Sequence, residues 1–165
     1  MSTNHKDIGT MYIILSIIAG LIGGAFSVLF RIQLSVPGSN FLGGDYQFYN
    51  VLITAHALIM VFFMIMPALF GGFGNWFVPL LIGAPDMALP RMNNWSFWLL
   101  PFAFCILAST LFSEGGAPNF GWTFYAPLST TYAPPSVTFF IFAVHVMGAS
   151  SIMGSINIIA TVLNL

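Results

Sequence analysis

Residues 51–82 read VLITAHALIMVFFMIMPALFGGFGNWFVPLLI and contain no Asp, Glu, Lys or Arg. A transmembrane helix needs about 20 predominantly apolar residues, so this stretch is long enough to span a bilayer. As a straight α-helix it would be about 48 Å long, whereas the hydrocarbon core of a bilayer is roughly 30 Å thick. The segment is therefore expected to tilt, to project beyond the bilayer or to change geometry near Pro67 and residues 71–74.

Three further apolar segments have the length of a membrane span. They are Met11–Leu34, Trp95–Phe112 and Val137–Leu163. The links between the four segments are rich in proline and glycine, which mark loops. The sequence therefore predicts an all-α membrane protein. It should have four transmembrane helices, at about 11–34, 51–82, 95–112 and 137–163. Together they form a single helical unit over residues 1–165.

The composition excludes several classes of protein. Only 4% of the 165 residues are charged, whereas a soluble domain carries about 25%. The net charge of −1 offers no electrostatic attraction to nucleic acid. The single cysteine, Cys105, excludes an internal disulfide and a cysteine-based metal cluster. A soluble enzyme, a disordered tail and a nucleic-acid-binding protein are therefore all excluded.

Two positive charges predict the orientation. Lys6 precedes the first segment and Arg91 lies between the second and third. With four spans, these two residues share one side of the membrane with the C-terminus. The positive-inside rule assigns that side to the cytoplasm or matrix. The N-terminus lacks the pattern of a cleaved secretory signal.

Two side chains in apolar helices are candidates for ligand binding. Arg31 is either an arginine that snorkels to the interface or a donor to an anionic or carbonyl group on a ligand. His56 is either a hydrogen-bonded helix residue or an axial haem ligand. Since the first helix ends where the second begins, the two residues are expected at similar depth.

A polar set at the inner side predicts a path for protons. Asp86 is either a loop carboxylate that pairs with Arg91 or the mouth of such a path, because a carboxylate at the aqueous edge collects protons. Amides and hydroxyls further in can hold a water chain: Asn75, Asn93, Ser96, Ser150 and Ser151. Of the other histidines, His145 is interpreted as a packing residue and His5 as a surface residue.

Several motifs, in order along the chain, resemble a known family. They are Ser2–Thr10 (STNHKDIGT), Thr54–Ala57 (TAHA), Gly71–Trp76 (GGFGNW), Gly83–Asn94 (GAPDMALPRMNN) and His145–Ile152 (HVMGASSI). Together they are similar to the start of subunit I of the mitochondrial-type haem–copper oxidases, the cytochrome c oxidases. The resemblance covers essentially the whole chain. It implies the first four helices, or first third, of a twelve-helix bundle.

The resemblance also implies roles for single residues. His56 matches an axial ligand of low-spin haem a, and Arg31 matches the arginine that hydrogen-bonds the haem formyl group. Tyr49 and Trp122 match residues near the haem propionates. Asp86 matches the entrance of the D proton channel, along which the other polar residues lie: Asn75, Asn93, Ser96, Ser150 and Ser151. Gln33 departs from the family, whose mitochondrial members often have a glutamate of a peripheral cation site there.

The implied function is that of the N-terminal fragment of a split oxidase subunit, which is not catalytic alone. A second chain would carry the remaining helices with haem a3 and copper B. Further partners would be the copper-A subunit II, subunit III, other oxidase subunits, membrane lipids and cytochrome c as electron donor. The location implied is the mitochondrial inner membrane, with both termini in the matrix. The alternatives are part of a quinol oxidase, a non-catalytic anchoring or assembly subunit, and a stand-alone proton channel.

Overall fold

The computed structural model describes residues 2–38 and 41–165, and within them it contains helices but no strand. Four helices are long and apolar enough to cross a membrane. We number them helix 1 (His5–Gln33), helix 2 (Tyr46–Ile82), helix 3 (Pro90–Phe112) and helix 4 (Val137–Asn164). The prediction of an all-α protein with four helices of transmembrane length is confirmed.

Helix 1 begins six residues before the predicted start because polar side chains cap it. The Asn4 side chain accepts a hydrogen bond from the backbone N–H of Lys6 at 2.8 Å, which satisfies one of the free donors at a helix start. The extra turn carries His5 into the interior, where it is only 4% exposed. The interpretation of His5 as a surface residue is therefore wrong.

Helix 2 changes geometry within its length. It starts as an α-helix at Tyr46, where the Asp45 side chain accepts from the N–H of Phe48 at 2.9 Å. Two π-helical segments follow, Ile59–Ile65 and Pro67–Gly74, before an α-helical end at Asn75–Ile82. The expected change of geometry near Pro67 and residues 71–74 is found, and it starts already at Ile59. Proline has no N–H for the helical ladder, which favours a break in register there.

Helices 3 and 4 pack closely against each other, and helix 3 also contacts helix 1. Pro90 opens helix 3 at a position where the missing N–H is tolerated, and a 3₁₀ turn closes it at Thr110–Phe112. Helix 4 packs mainly against helix 3, and helix 1 against helix 2. The helices share a cluster of buried hydrophobic side chains: Ile8, Tyr12, Ala19, Ile59, Phe63, Phe97, Leu100, Ala103 and Met147.

Both ends of the chain lie at the same end of the bundle. Asn94 at the start of helix 3 donates from Nδ2 to the Ser2 carbonyl at 2.9 Å. Thr161, near the end of helix 4, accepts from the N–H of Ala88 at 3.0 Å. This is also the end that carries Asp86. Residues 34–38 and 41–45, which follow helix 1 and precede helix 2, and the link 113–136 lie at the opposite end.

Candidate functional site

A chain of buried hydrogen bonds connects helices 2, 3 and 4. Asn75 donates from Nδ2 to the Gly71 carbonyl at 2.6 Å, and its Oδ1 accepts from Asn93 Nδ2 at 2.8 Å. The Asn93 carbonyl accepts from the Ser96 hydroxyl at 2.7 Å, and the Ser96 carbonyl accepts from the Ser150 hydroxyl at 2.6 Å. Four of the residues proposed from sequence as a proton path are thus in direct contact.

Tyr12 of helix 1 completes this chain. Its hydroxyl lies 2.9 Å from Ser96 Oγ, and its ring is 5% exposed. Sequence reasoning missed Tyr12, because its partner lies 84 positions away and no local pattern indicates the contact. The only available signal was a hydroxyl within an apolar stretch.

A cavity of about 250 Å³ lies beside the chain. Tyr12, Asn75, Asn93 and Ser150 line it together with apolar residues of helix 2. Ser151 lines it too, although most of its side chain is exposed. Water in the liquid occupies about 30 Å³ per molecule and needs two to four polar partners when it is buried. The cavity therefore offers room and partners for several waters.

His5 extends the polar chain toward the end that carries the termini. Its Nδ1 lies 2.7 Å from the Asn75 carbonyl oxygen. Because a carbonyl can only accept, Nδ1 carries the proton, which leaves Nε2 as the basic nitrogen. His5 thus places an imidazole in direct contact with the candidate proton path.

Asp86 lies on the link between helices 2 and 3. It is half-buried, and its Oδ1 accepts from the N–H of Met87 at 2.7 Å. Two fully buried residues of helix 4 hold the next part of this link. Asn157 Oδ1 accepts from the N–H of Leu89 at 2.9 Å, and Thr161 Oγ1 accepts from the N–H of Ala88. Sequence reasoning missed both residues. The Nδ2 of Asn157 has no hydrogen-bond partner among the described residues.

The orientation of His56 suits a metal ligand. Its Nδ1 lies 2.8 Å from the carbonyl oxygen of Gly23 in helix 1, and the Phe30 ring meets it edge-on at 5.5 Å. Nδ1 therefore donates the proton, and Nε2 keeps the lone pair that iron would need. Such a bond also fixes the orientation of the ring. The side chain thus fits the axial haem ligand implied by the motifs, although no group of three or more metal-ligating side chains occurs among residues 2–38 and 41–165.

Comparison with known proteins identifies the family. The family model described as cytochrome c and quinol oxidase polypeptide I matches residues 7–165. Cytochrome c oxidase subunit 1 of Candida albicans is 48% identical over an alignment of 167 positions that covers 99% of this chain and 31% of that protein. The chain belongs to the subunit I family. It spans about a third of the length of that curated relative.

The other residues matched to haem contacts of the subunit I family lie in terminal helix turns and on a link. Arg31 is exposed in the last turn of helix 1, next to Phe30, whose ring meets the His56 imidazole. The expectation that Arg31 and His56 lie at similar depth stays a prediction. Tyr49 is half-buried in the first turn of helix 2, and Trp122 is 53% exposed on the link 113–136.

Two further side chains of this subunit I chain bond locally. His145 is exposed on helix 4, and its Nδ1 lies 2.8 Å from the carbonyl oxygen of Ile141 one turn earlier. Gln33 ties the link that follows helix 1, because its Oε1 accepts from the N–H of Leu42 at 2.8 Å and its Nε2 donates to the Gly38 carbonyl. Its amide therefore holds this link by hydrogen bonds in both directions.

Proposed function

We propose that this chain is the N-terminal part of the catalytic subunit of a cytochrome c oxidase. In that complex, electrons from cytochrome c reduce oxygen while protons cross the membrane. Family membership and 48% identity to a relative named cytochrome c oxidase subunit 1 support the assignment. The observation that carries the chain's own role is the buried hydrogen-bond chain from Asn75 to Ser150.

The first role of the chain is to hold low-spin haem a, which when bound accepts and passes on single electrons. His56 offers Nε2 as one axial ligand, and the Gly23 carbonyl orients the imidazole. Arg31 would hydrogen-bond the formyl group of the bound haem, and Tyr49 and Trp122 would hold its propionates. The partner chain would supply a second ligand, so the two chains would share the haem.

The second role is proton uptake. Asp86 lies at the end of the bundle that carries both termini, where a carboxylate can exchange protons with the aqueous phase. From there protons pass along the cavity in the order Asn75, Asn93, Ser96 and Ser150, which are buried, and then Ser151, which is exposed. Each water in the cavity passes one proton on as it receives another, so no net charge has to remain on the amides or hydroxyls.

The complex would lie in the mitochondrial inner membrane with both termini in the matrix. The remaining helices of subunit I, with haem a3 and copper B, would come from a second chain. Subunit II with copper A, subunit III and other oxidase subunits would complete the complex, and lipids would cover its outer faces. The exposed apolar side chains on all four helices suit such neighbours. The isolated chain would not reduce oxygen.

The substitution Asp86→Asn in the assembled complex tests the proton role. We expect it to slow proton uptake roughly tenfold or more, because a neutral amide, unlike a carboxylate, does not bind and release a proton near neutral pH. The haem a spectrum should stay unchanged. Proton uptake is measured with a pH-indicating dye after the reduced complex meets oxygen.

Glu114→Gln is the matched control. Glu114 is an exposed carboxylate on the link 113–136, at the opposite end of the bundle. Its substitution removes the same charge and should leave proton uptake unchanged. Equal rates in Asp86→Asn and in the unaltered complex would contradict the proposed entrance.

The relative found is a cytochrome c oxidase, which favours cytochrome c over a quinol as electron donor. Steady-state turnover of the purified complex with each reduced donor separates the two. Turnover with quinol alone would show that the chain serves a quinol oxidase. Proton flux through liposomes that contain only this chain would show a stand-alone channel, and we expect none.

A further inference from the structure

Gly71 touches the candidate proton path without contributing a side chain to it. A Cβ atom built at Gly71 would lie 2.5 Å or closer to three ring carbons of Tyr12. Real Cβ atoms essentially never approach another atom within 3.0 Å. Tyr12 can therefore occupy its position only because residue 71 is a glycine.

The position of the Tyr12 ring determines where its hydroxyl lies. Phe97 meets the ring edge-on at a centroid distance of 5.1 Å on helix 3, while Gly71 supports it from helix 2. The ring is buried between the two, and its hydroxyl reaches Ser96 Oγ at 2.9 Å. A ring displaced by a methyl group at position 71 would carry the hydroxyl away from Ser96.

Gly71 also fixes the next amide of the chain through its own carbonyl. This carbonyl accepts from Asn75 Nδ2 at 2.6 Å, so the amide of Asn75 turns its Oδ1 toward Asn93 Nδ2. Gly71 belongs to the π-helical segment Pro67–Gly74. Such segments in a longer helix frequently occur at functional sites. Gly71 thus determines the positions of both the Tyr12 and the Asn75 side chains at the start of the buried chain.

We propose that Gly71 is the positioning residue of the proton path, acting through the Tyr12 hydroxyl and the Asn75 amide. This inference rests on the proposed function of that path. Gly71 itself neither donates nor accepts the transferred proton. Its role is to keep Tyr12 and Asn75 in hydrogen-bond contact with Ser96 and Asn93.

The test introduces Gly71→Ala into the assembled oxidase. We expect proton uptake to slow about fivefold, because one hydrogen bond of the path is broken, while haem a still takes up electrons at the unaltered rate. Tyr12→Phe, which removes only the hydroxyl, should slow uptake similarly. The double variant should be no slower than Tyr12→Phe, because alanine keeps the backbone carbonyl that holds Asn75 and the Tyr12 hydroxyl is already absent.

Gly72→Ala is the matched control for crowding. A Cβ at Gly72 would lie 2.6 Å from Cγ1 of Ile13, so the new methyl group also presses on helix 1, but on a flexible apolar side chain. Proton uptake should stay unchanged in this variant. Slowing by Gly72→Ala equal to that by Gly71→Ala would show a general effect of crowding and overturn the inference.

Other outcomes also decide the question. Unchanged uptake in Gly71→Ala, unchanged uptake in Tyr12→Phe, or full additivity of the two would contradict the positioning role. If Gly71→Ala does not assemble, the variant Gly71→Ala with Tyr12→Leu should assemble and stay slow, and its failure would show that the clash is not with Tyr12. Normal uptake in Asp86→Asn would instead contradict the proposed path itself.

Discussion

Two adjacent glycines of helix 1 have opposite surroundings. A Cβ at Gly23 would lie 2.8 Å from Met60 Sδ, whereas a Cβ at Gly24 would meet nothing within 4 Å. Gly23 therefore allows helices 1 and 2 to approach closely at the level where its carbonyl accepts from His56. The two glycines form a natural pair for testing how helix approach supports the candidate haem ligand.

We predict that Gly23→Ala weakens haem a binding in the assembled complex. The added methyl group displaces Met60 or separates the helices, which lengthens the bond from His56 Nδ1 to the Gly23 carbonyl. Loss of such an orienting bond typically lowers metal affinity about tenfold or more. The measurement is the haem a content per complex during dilution in detergent.

Gly24→Ala should behave like the unaltered chain or be slightly more stable, because alanine is favoured over glycine in a helix by roughly 0.5–1 kcal/mol. Equal haem retention in both variants would show that close helix approach at Gly23 does not support the ligand.

At the level of single residues, the sequence indicated several polar side chains that meet in the structure. Polar groups are costly in an apolar helix, and Asn75, Asn93, Ser96 and Ser150 lie in contact. The contact of Tyr12 with Ser96 could not be predicted, because it depends on helix rotation, which the sequence does not specify. Residue context left two alternatives each for His56 and Asp86, and the family resemblance favours the haem and channel roles.

The link between helices 2 and 3 depends on helix 4. Asn157 and Thr161 accept from two consecutive backbone N–H groups of the link, those of Leu89 and Ala88. Both side chains are completely buried. Helix 4 therefore fixes the backbone directly after Asp86.

We predict that Asn157→Leu combined with Thr161→Val releases this link. Two N–H groups lose their acceptors, at a cost of about 1–3 kcal/mol for each one that stays buried. Hydrogen exchange at Ala88 and Leu89 should become about fivefold faster or more. Ser155→Ala, which removes an exposed hydroxyl bonded within helix 4, is the control. Unchanged exchange in the double variant would mean that other contacts hold the link.

At the level of helices, apolar length predicted the number of spans, while their bounds followed other rules. Helix 1 starts at His5 because Asn4 caps it, and helix 2 starts at Tyr46 because Asp45 caps it. Both helices begin among polar residues, which lie outside the apolar runs used to predict the spans. The π-helical geometry from Ile59 could not be predicted from the position of Pro67 alone.

At the scale of the whole molecule, the contacts place both termini and Asp86 at one end of the bundle. Short peptide tags attached at the N-terminus and at the C-terminus should therefore both be protected in mitochondria whose outer membrane has been opened. A tag inserted at Glu114, at the opposite end, should be accessible to antibody. Accessible terminal tags would contradict the proposed matrix orientation.

The four helices also leave much apolar surface without a neighbour. Leu21, Leu81 and Leu163 are 71%, 82% and 77% exposed. Sequence composition predicted this surface, because 58% of the residues are hydrophobic. Which part faces lipid and which part faces further helices of the subunit is not encoded in a local pattern, since both environments are apolar.

The most direct measurement is the optical spectrum of the assembled complex carrying His56→Ala. We expect the low-spin haem a band to disappear, because the ligand nitrogen is lost. His145→Ala is the matched control. It removes an exposed histidine whose Nδ1 bonds within its own helix, and it should leave the band intact. A low-spin haem a band that survives His56→Ala at full intensity would contradict the assignment of His56 as haem ligand and support a non-catalytic anchoring role.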